Sequence, residues 1–239
     1  MIWSISDLHL SFASDKPMDI FGPHWVNHHS KIEDNWRSLV APTDTILVPG
    51  DISWAMKLEQ AAEDLQWLAS LPGTKLILKG NHDYWWDSIG RVRDALPDSV
   101  LALQNDAVAT EEAIVAGSRG WLLPGTPGFD EETDRKVYER ELLRLGMSLE
   151  AAARLRRSAP TKPIIAMMHY PPILESGPTA FSRTLSKACV TACVYGHLHL
   201  EGEWPEGLNC VLDGVRYMLT SCDYTDFRPV RVLQTGGEP

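Results

Sequence analysis

The sequence predicts an α/β fold with a largely parallel sheet, and three observations carry that expectation. Short apolar runs of strand length, at Met1 to Ser6, Thr45 to Val48, Lys75 to Lys79, Ile164 to Met168 and Cys189 to Tyr195, are separated by stretches of helical periodicity. Such alternation implies right-handed crossovers between parallel strands. Each of these runs also leads into Asp, Asn or His: Asp7-Leu8-His9, Gly50-Asp51, Gly80-Asn81-His82-Asp83, His169 and Gly196-His197-Leu198-His199. In open α/β sheets ligands gather beyond the carboxyl ends of the strands, so these distant side chains are expected to meet there.

In chain order, Met1 to Ser6 reads as a first strand with polar residues at its tip. Ser11 to His24 is a loop broken by Asp15, Lys16, Pro17, Gly22 and Pro23. From Trp25 to Val40 the apolar positions Trp25, Ile32, Trp36, Leu39 and Val40 predict an amphipathic helix, ended by Pro42 and Asp44. After the second strand, Gly50 lets the backbone turn closely enough to aim Asp51 into the site. Leu58, Ala61, Ala62, Leu65 and Leu68 give the next helix its stripe, and Pro72-Gly73 stops it. A third strand and a helix over Asp87 to Leu96 follow.

The middle changes character. Val100 to Leu103, Ala107 to Thr110 and Ala113 to Ala116 predict a meander with some antiparallel pairing. Asp130 to Arg157 predicts two charged helices meeting near Gly146. Its acidic start and basic end match the helix dipole. As a charged helical insertion at about 130–157 it is also placed to overhang the cleft as a lid. Tyr170 to Ser176, with two prolines, is a loop. Asn209 to Leu212 and Val215 to Leu219 flank Asp213-Gly214, a strong hairpin signal, and Val230 to Leu233 adds a last strand.

Composition bounds the rest. A chain of 239 residues, 44% hydrophobic and 23% charged, is long enough for one well-buried core, and one domain over 1–239 is expected. No apolar run of about 18 residues is present to span a bilayer. A cleaved leader would remove Asp7 and His9, so a cytoplasmic protein is expected. Cys189, Cys193, Cys210 and Cys222 lack CxxC spacing and read as small buried hydrophobes. The net charge of −10 argues against a long nucleic-acid partner, whereas a short or small phosphorylated substrate is compatible with it where bound divalent ions make the cleft locally positive.

Asp7, His9, Asp51, Asn81, His169, His197 and His199 are too many ligands for one tetrahedral ion. They suit two ions about 3.5–4 Å apart that share a carboxylate. The motifs, in this order over residues 7 to 199, resemble the calcineurin-like metallophosphoesterases. The resemblance implies a four-layer α/β/β/α sandwich. It implies one divalent ion on Asp7, His9, Asp51 and His199 and a second on Asp51, Asn81, His169 and His197. Manganese is the expected metal, with Fe²⁺, Zn²⁺ and Co²⁺ chemically reasonable. The activity implied is a phosphoester hydrolase, a phosphodiesterase before a phosphomonoesterase or nuclease, in which a hydroxide bridging the ions attacks phosphorus. A non-catalytic metal-binding scaffold is the rival from another class, and loss of ligands, its signature, is not seen.

In the resembled family His82 acts as general acid or charge stabiliser, and Asp83 is expected to orient it and favour its protonated form. Many relatives carry a second Asp three residues after Asp51, where this chain has Trp54, so a hydrogen bond behind the ligands is in doubt. Tyr84, Trp85 and Trp86 are read as core rings, one of which could form an aromatic wall for a nucleotide-like group. His24, His28 and His29 are read as loop and helix-surface residues. Arg119 and Arg183 are recommended as phosphate clamps by charge alone.

Overall fold

Alternation along the strands decides the layering: successive side chains point to opposite faces, and here both faces are apolar. The computed structural model describes residues 1–174, 177–200 and 204–233. The first sheet contains β1 (Ile2–Ser4), β2 (Thr45–Val48), β3 (Thr74–Leu78), β4 (Val100–Leu103) and β11 (Val230–Arg231), in the order β11-β1-β2-β3-β4. The second contains β5 (Ala107–Ala109), β6 (Ile114–Ser118), β7 (Ile164–Met168), β8 (Val190–Tyr195), β9 (Cys210–Leu212) and β10 (Val215–Leu219), in the order β5-β6-β7-β8-β10-β9. The first is parallel except for the antiparallel edge strand β11, and the second has a parallel centre with antiparallel strands at both edges.

Leu47, Leu76 and Leu78 of the first sheet pack against Val115, Ile165, Met167 and Val194 of the second. The alternate residues Ile46, Val48 and Ile77 face outward to α1 (His28–Leu39), α2 (Leu58–Ser70) and α3 (Ile89–Ala95). Likewise Ile164, Ala166 and Met168 face α4 (Arg135–Arg156) and α5 (Ala180–Lys187). The result is the expected four-layer α/β/β/α sandwich.

Several local expectations change. Trp25 lies in a short 3-10 turn, and the helix begins only at His28. The three middle segments are not one meander. β4 pairs in parallel with β3, the chain then crosses to the other sheet, and only β5 and β6 form a hairpin. The charged stretch is one helix of 22 residues with no break at Gly146. Its buried stripe, including Leu145, Ser148, Leu149 and Ala152, runs through that glycine, and Ser148 Oγ accepts a hydrogen bond from Gly117 N at 2.7 Å. Packing on β5 and β6 therefore outweighs the glycine's helix penalty of about 1 kcal/mol. Helix α5 was not foreseen, although Thr179 and Ser182 form a capping box before the Phe181/Leu185 pair. The proline-rich segment expected as a loop forms no helix or strand up to residue 174; residues 175 and 176 lie outside those described. Of the cysteines, Cys193 and Cys222 are buried, but Cys189 is exposed and Cys210 only partly covered.

Lys75 on β3 is fully buried, with no carboxylate paired to it among the described residues. Its Nζ donates to the carbonyls of Ala69, Leu71 and Gly73 at 3.2, 2.6 and 2.9 Å, serving the otherwise unpaired end of α2. Replacing it with methionine orphans the Leu71 and Gly73 carbonyls and leaves that of Ala69 with Ser99 Oγ alone, at 3.3 Å. Lys75→Met is expected to lose about 2–3 kcal/mol, a fall in Tm of about 5–10 °C by calorimetry. Burial also lowers the pKa of Lys75 to about 8. Between that value and the ordinary value of 10.5 the unfolded chain holds the extra proton, so this group makes stability rise with pH. Lys75→Met removes that slope.

Candidate metal centre

Each of the singled-out residues sits just past a strand. Asp7 and His9 follow β1, Asp51 follows β2, Asn81 follows β3, His169 follows β7 and His197 and His199 follow β8. Backbone hydrogen bonds tie these tips together: Asp7 N donates to Gly50 O, His9 N to Asp51 O and Gly196 N to His169 O. Asp7, His9, Asp51 and His197 have φ of 58°, 44°, 52° and 73°, a left-handed backbone costing about 1–2 kcal/mol at a non-glycine residue. Four of the ten non-glycine residues with positive φ among the described residues thus stand at these strand tips, held there by the surrounding hydrogen bonds.

All seven side chains converge. His9 Nε2 lies 3.2 Å from His199 Nε2 and 3.9 Å from Asp51 Oδ2, and His199 Nε2 lies 3.6 Å from Asp7 Oδ1. On the other side, Asn81 Oδ1 is 2.6 Å from His169 Nε2 and 2.8 Å from His197 Nδ1, and Asp51 Oδ2 is 3.5 Å from His169 Nε2. Asp51 stands between the two groups. Potential ligand atoms of Asp7, His9 and His199, and separately of Asp7, Asp51 and His169, lie within 4.8 Å of one another.

The protonation pattern fits a cation in both places. His169 Nδ1 donates to the Pro49 carbonyl at 3.0 Å, which leaves a lone pair on Nε2 facing the Asn81 oxygen. His199 Nδ1 donates to Asp223 Oδ1 at 3.1 Å and its Nε2 lies 3.6 Å from Asp7 Oδ1; against the effect of burial these two carboxylates raise its pKa to about 10, so Nε2 carries a proton that a divalent ion would replace. Burial pushes His169 down to about 3, His197 to about 4 and His9 well below its usual value, so all three are neutral donors at pH 7. Burial, with Asp7 and Asp83 nearby, pushes the Asp51 carboxyl up to about 9. A buried carboxylate ringed by lone pairs needs positive charge, and a divalent ion supplies it.

The surroundings hold these ligands in place. Asp7 Oδ2 accepts from Ser221 Oγ at 3.0 Å and from His197 N at 3.1 Å. Neither Ser221 nor Asp223 was recognisable in the sequence, because each is brought to the site from near the end of the chain. Two glycines permit the close approach. A Cβ on Gly80 would lie 2.1 Å from Asp51 Oδ1, and one on Gly196 would lie 2.2 Å from Asp7 Oδ2. Gly80→Ala and Gly196→Ala are each expected to lower kcat/KM by about 10²-fold or more while far-ultraviolet circular dichroism stays native.

Asp83 departs from expectation. Its buried carboxylate accepts from the backbone N–H of Gly80, Asp51, Ile52 and Ser53 at 2.7–3.2 Å and from Trp85 Nε1 at 2.9 Å, and it does not pair with His82. These donors come from the loops after β2 and β3, so Asp83 ties together the loops that carry Asp51 and Asn81. His82 Nδ1 is buried without a hydrogen-bond partner among the described residues, and burial followed by the His199 charge lowers its pKa, opposite to the expected stabilisation of the protonated form. His82 still borders the cleft, its ring tilted against that of Trp54 with centroids 4.5 Å apart.

Trp54 takes the place of the expected hydrogen bond with a packing contact: its ring lies on that of His9 at 4.9 Å and 23°. A cavity of about 280 Å³ on this side is lined by His9, His82, His199, Trp25, Trp54 and Phe21, among others. A second, of about 320 Å³, opens on the His197 side against Trp121, Tyr170, Ile173 and Leu198. The aromatic wall is thus Trp25 and Trp54. Trp85 and Trp86 are buried, and Tyr84, 54% exposed, lines neither cavity. His24 borders the first cavity, and His28 is buried on the Leu8 carbonyl at 3.0 Å. Arg183 is exposed on α5 and borders neither cavity.

A model of the calcineurin-like phosphoesterase family matches residues 1–201. The chain is 34% identical over 83 residues to the Gene 66 protein of Mycobacterium phage D29, and 31% identical over 81 residues to that of phage L5. Each match takes in 34% of this chain and 40% or 39% of the phage protein, so it spans well under half of those relatives. Among solved structures, AQ665 from Aquifex aeolicus, a protein of unknown function, aligns with a TM-score of 0.46 at 15% identity, covering 96% of this chain and 94% of that one. A phosphopantetheinyl hydrolase from Mycobacterium tuberculosis aligns with a TM-score of 0.49 at 17% identity, covering 92% and 88%. Because the family match spans the whole segment that delivers the clustered side chains, from Asp7 to His199, this chain belongs to the calcineurin-like phosphoesterase family.

Proposed function

We propose that the chain hydrolyses a small phosphodiester at two divalent ions, one held by Asp7, His9, Asp51 and His199 and the other by Asp51, Asn81, His169 and His197. The enzyme class, a dimetal phosphoesterase, follows from family membership. When bound, such a pair polarises the phosphoryl oxygens and makes a water acidic enough to act as nucleophile near neutral pH. Manganese is the ion we expect, and with no thiolate in the cluster Fe²⁺, Zn²⁺ and Co²⁺ can use the same donors.

The observation that supports a diester is the pair of cavities flanking the ligand cluster, of about 280 Å³ and 320 Å³. A monoester brings one organic group to the phosphorus and leaves one of them unused. The aromatic lining of the smaller cavity suits a flat group such as a base. Matched diesters and monoesters with one leaving group, assayed on metal-loaded protein, are expected to differ in kcat/KM by about tenfold or more in favour of the diester. A monoester preference removes the diester reading and leaves the enzyme class standing.

His82 reads as the donor to the phosphoryl or leaving-group oxygen, since it borders the cleft and is not needed as a ligand. His82→Ala is expected to retain both metals and to slow esters of poor leaving groups by about 10²-fold more than activated ones. Equal slowing of both would assign it to charge stabilisation alone.

A further inference from the structure

A third cavity, of about 240 Å³, lies beyond the ends of β3, β4 and β6 and is bordered by Arg140, Glu141 and Arg144 of α4. Its charged lining is Lys79, Asp87, Arg119, Arg140, Glu141 and Arg144. In a chain of net charge −10, four cations around one cavity are out of keeping with the rest of the molecule. The acids do not balance them. Asp87 is exposed and paired with Arg91. Glu141 is buried, and its one oxygen Oε1 serves all three arginines, with Arg144 at 2.7 Å, Arg140 at 3.7 Å and Arg119 at 3.8 Å.

Hydrogen bonding shows the same deficit. The Arg119 guanidinium, its side chain only 19% exposed, donates no hydrogen bond among the described residues and lies 4.5 Å over the Trp121 ring. Arg140 donates none either, and Lys79 Nζ donates only to the Trp86 carbonyl at 3.2 Å. A guanidinium carries five N–H donors in a planar fork that matches a phosphoryl group. Two guanidinium groups that donate to no acceptor among the described residues, one of them largely covered, with surplus positive charge around a cavity, describe an anion site.

We infer that this cavity binds a phosphoryl group, distinct from the one cleaved at the metal ligands. It neighbours that centre: Lys79 is two residues before Asn81, and the Arg119 carbonyl accepts from His169 N and Tyr170 N. The site stands independently of the diester reading.

Calorimetric titration of inorganic phosphate into the metal-loaded chain tests it. Wild type is expected to show two classes of phosphate site. One persists in Asp51→Asn. That remaining class weakens about tenfold in Asp51→Asn/Arg140→Ala and about 10–100-fold in Asp51→Asn/Arg119→Gln, with loss of a charge-assisted bond as the cause. Arg140 is exposed, so its removal does not put the fold at stake. Absence of phosphate binding in Asp51→Asn, or binding unchanged in both double variants, overturns the site. A diester carrying a terminal phosphate shows the source of the group. If it binds Asp51→Asn at least about tenfold tighter than phosphate does, the anion arrives on the substrate, linked to the part held at the centre. Equal affinities make free phosphate the occupant. Either result keeps the site.

Discussion

Asp51→Asn is expected to yield a folded chain that holds fewer than two equivalents of divalent metal and hydrolyses phosphoesters at least about 10³-fold more slowly. Asp51 is the side chain common to the two proposed ligand sets, with Oδ2 3.9 Å from His9 Nε2 and 3.5 Å from His169 Nε2. An amide there removes one negative charge and puts an NH₂ group either at Oδ2, which faces both ligand sets, or at Oδ1, where it meets the His82 N–H donor. Oδ1 is already engaged, accepting from His82 N at 2.8 Å, so rotation cannot offer both oxygens freely. Elemental analysis together with initial rates checks the outcome. Two equivalents of metal and normal turnover in this variant would remove Asp51 from its bridging place.

Asp83 gives the largest expected effect on stability. Its carboxylate satisfies four backbone N–H groups and the Trp85 indole, all in the loops behind Asp51 and Asn81. Each donor left unpaired in a buried setting costs about 1–3 kcal/mol, and partial relaxation recovers some of that. Asp83→Ala should therefore lose about 4–6 kcal/mol, beyond what most single substitutions produce. Asp83→Asn should be nearly as harmful, because its NH₂ group turns a donor toward donors. Denaturant midpoints for both variants check this. If the asparagine variant were as stable as wild type, hydrogen-bond acceptance would not be what Asp83 contributes. Weakened metal binding should accompany the lost stability, since the same loops carry Asp51 and Asn81.

Much of the centre was legible because its ligand-bearing segments each follow a short apolar run. Strand tips converge in such folds, so Asp7, Asp51, Asn81, His169 and His197 could be grouped without coordinates. The Asp213-Gly214 hairpin was legible for a similar local reason, since both residues take positive φ, at 49° and 80°. Asp83 was misread because adjacency in sequence suggested a pair with His82, whereas its carboxylate turns toward the backbone amides of the neighbouring Gly50-Asp51 turn. Helix α4 was split at Gly146 because local propensity was weighed without the sheet it covers. Trp54 carried no readable role until its ring was found on that of His9.

Local chain chemistry by itself determined the alternation of strands and helices, the apolar faces, and which polar side chains stand at the strand tips. Tertiary structure alone decided which ligand atoms meet, that Ser221 and Asp223 support Asp7 and His199, and that Asp83 serves the backbone instead of the imidazole beside it. It also decided that Lys75 is buried and that four cations share a cavity with one buried carboxylate. The division is physical: periodicity and turn chemistry act over a few residues. Which groups share a proton or lack a partner depends on contacts between segments up to about two hundred residues apart, formed only when the two sheets pack.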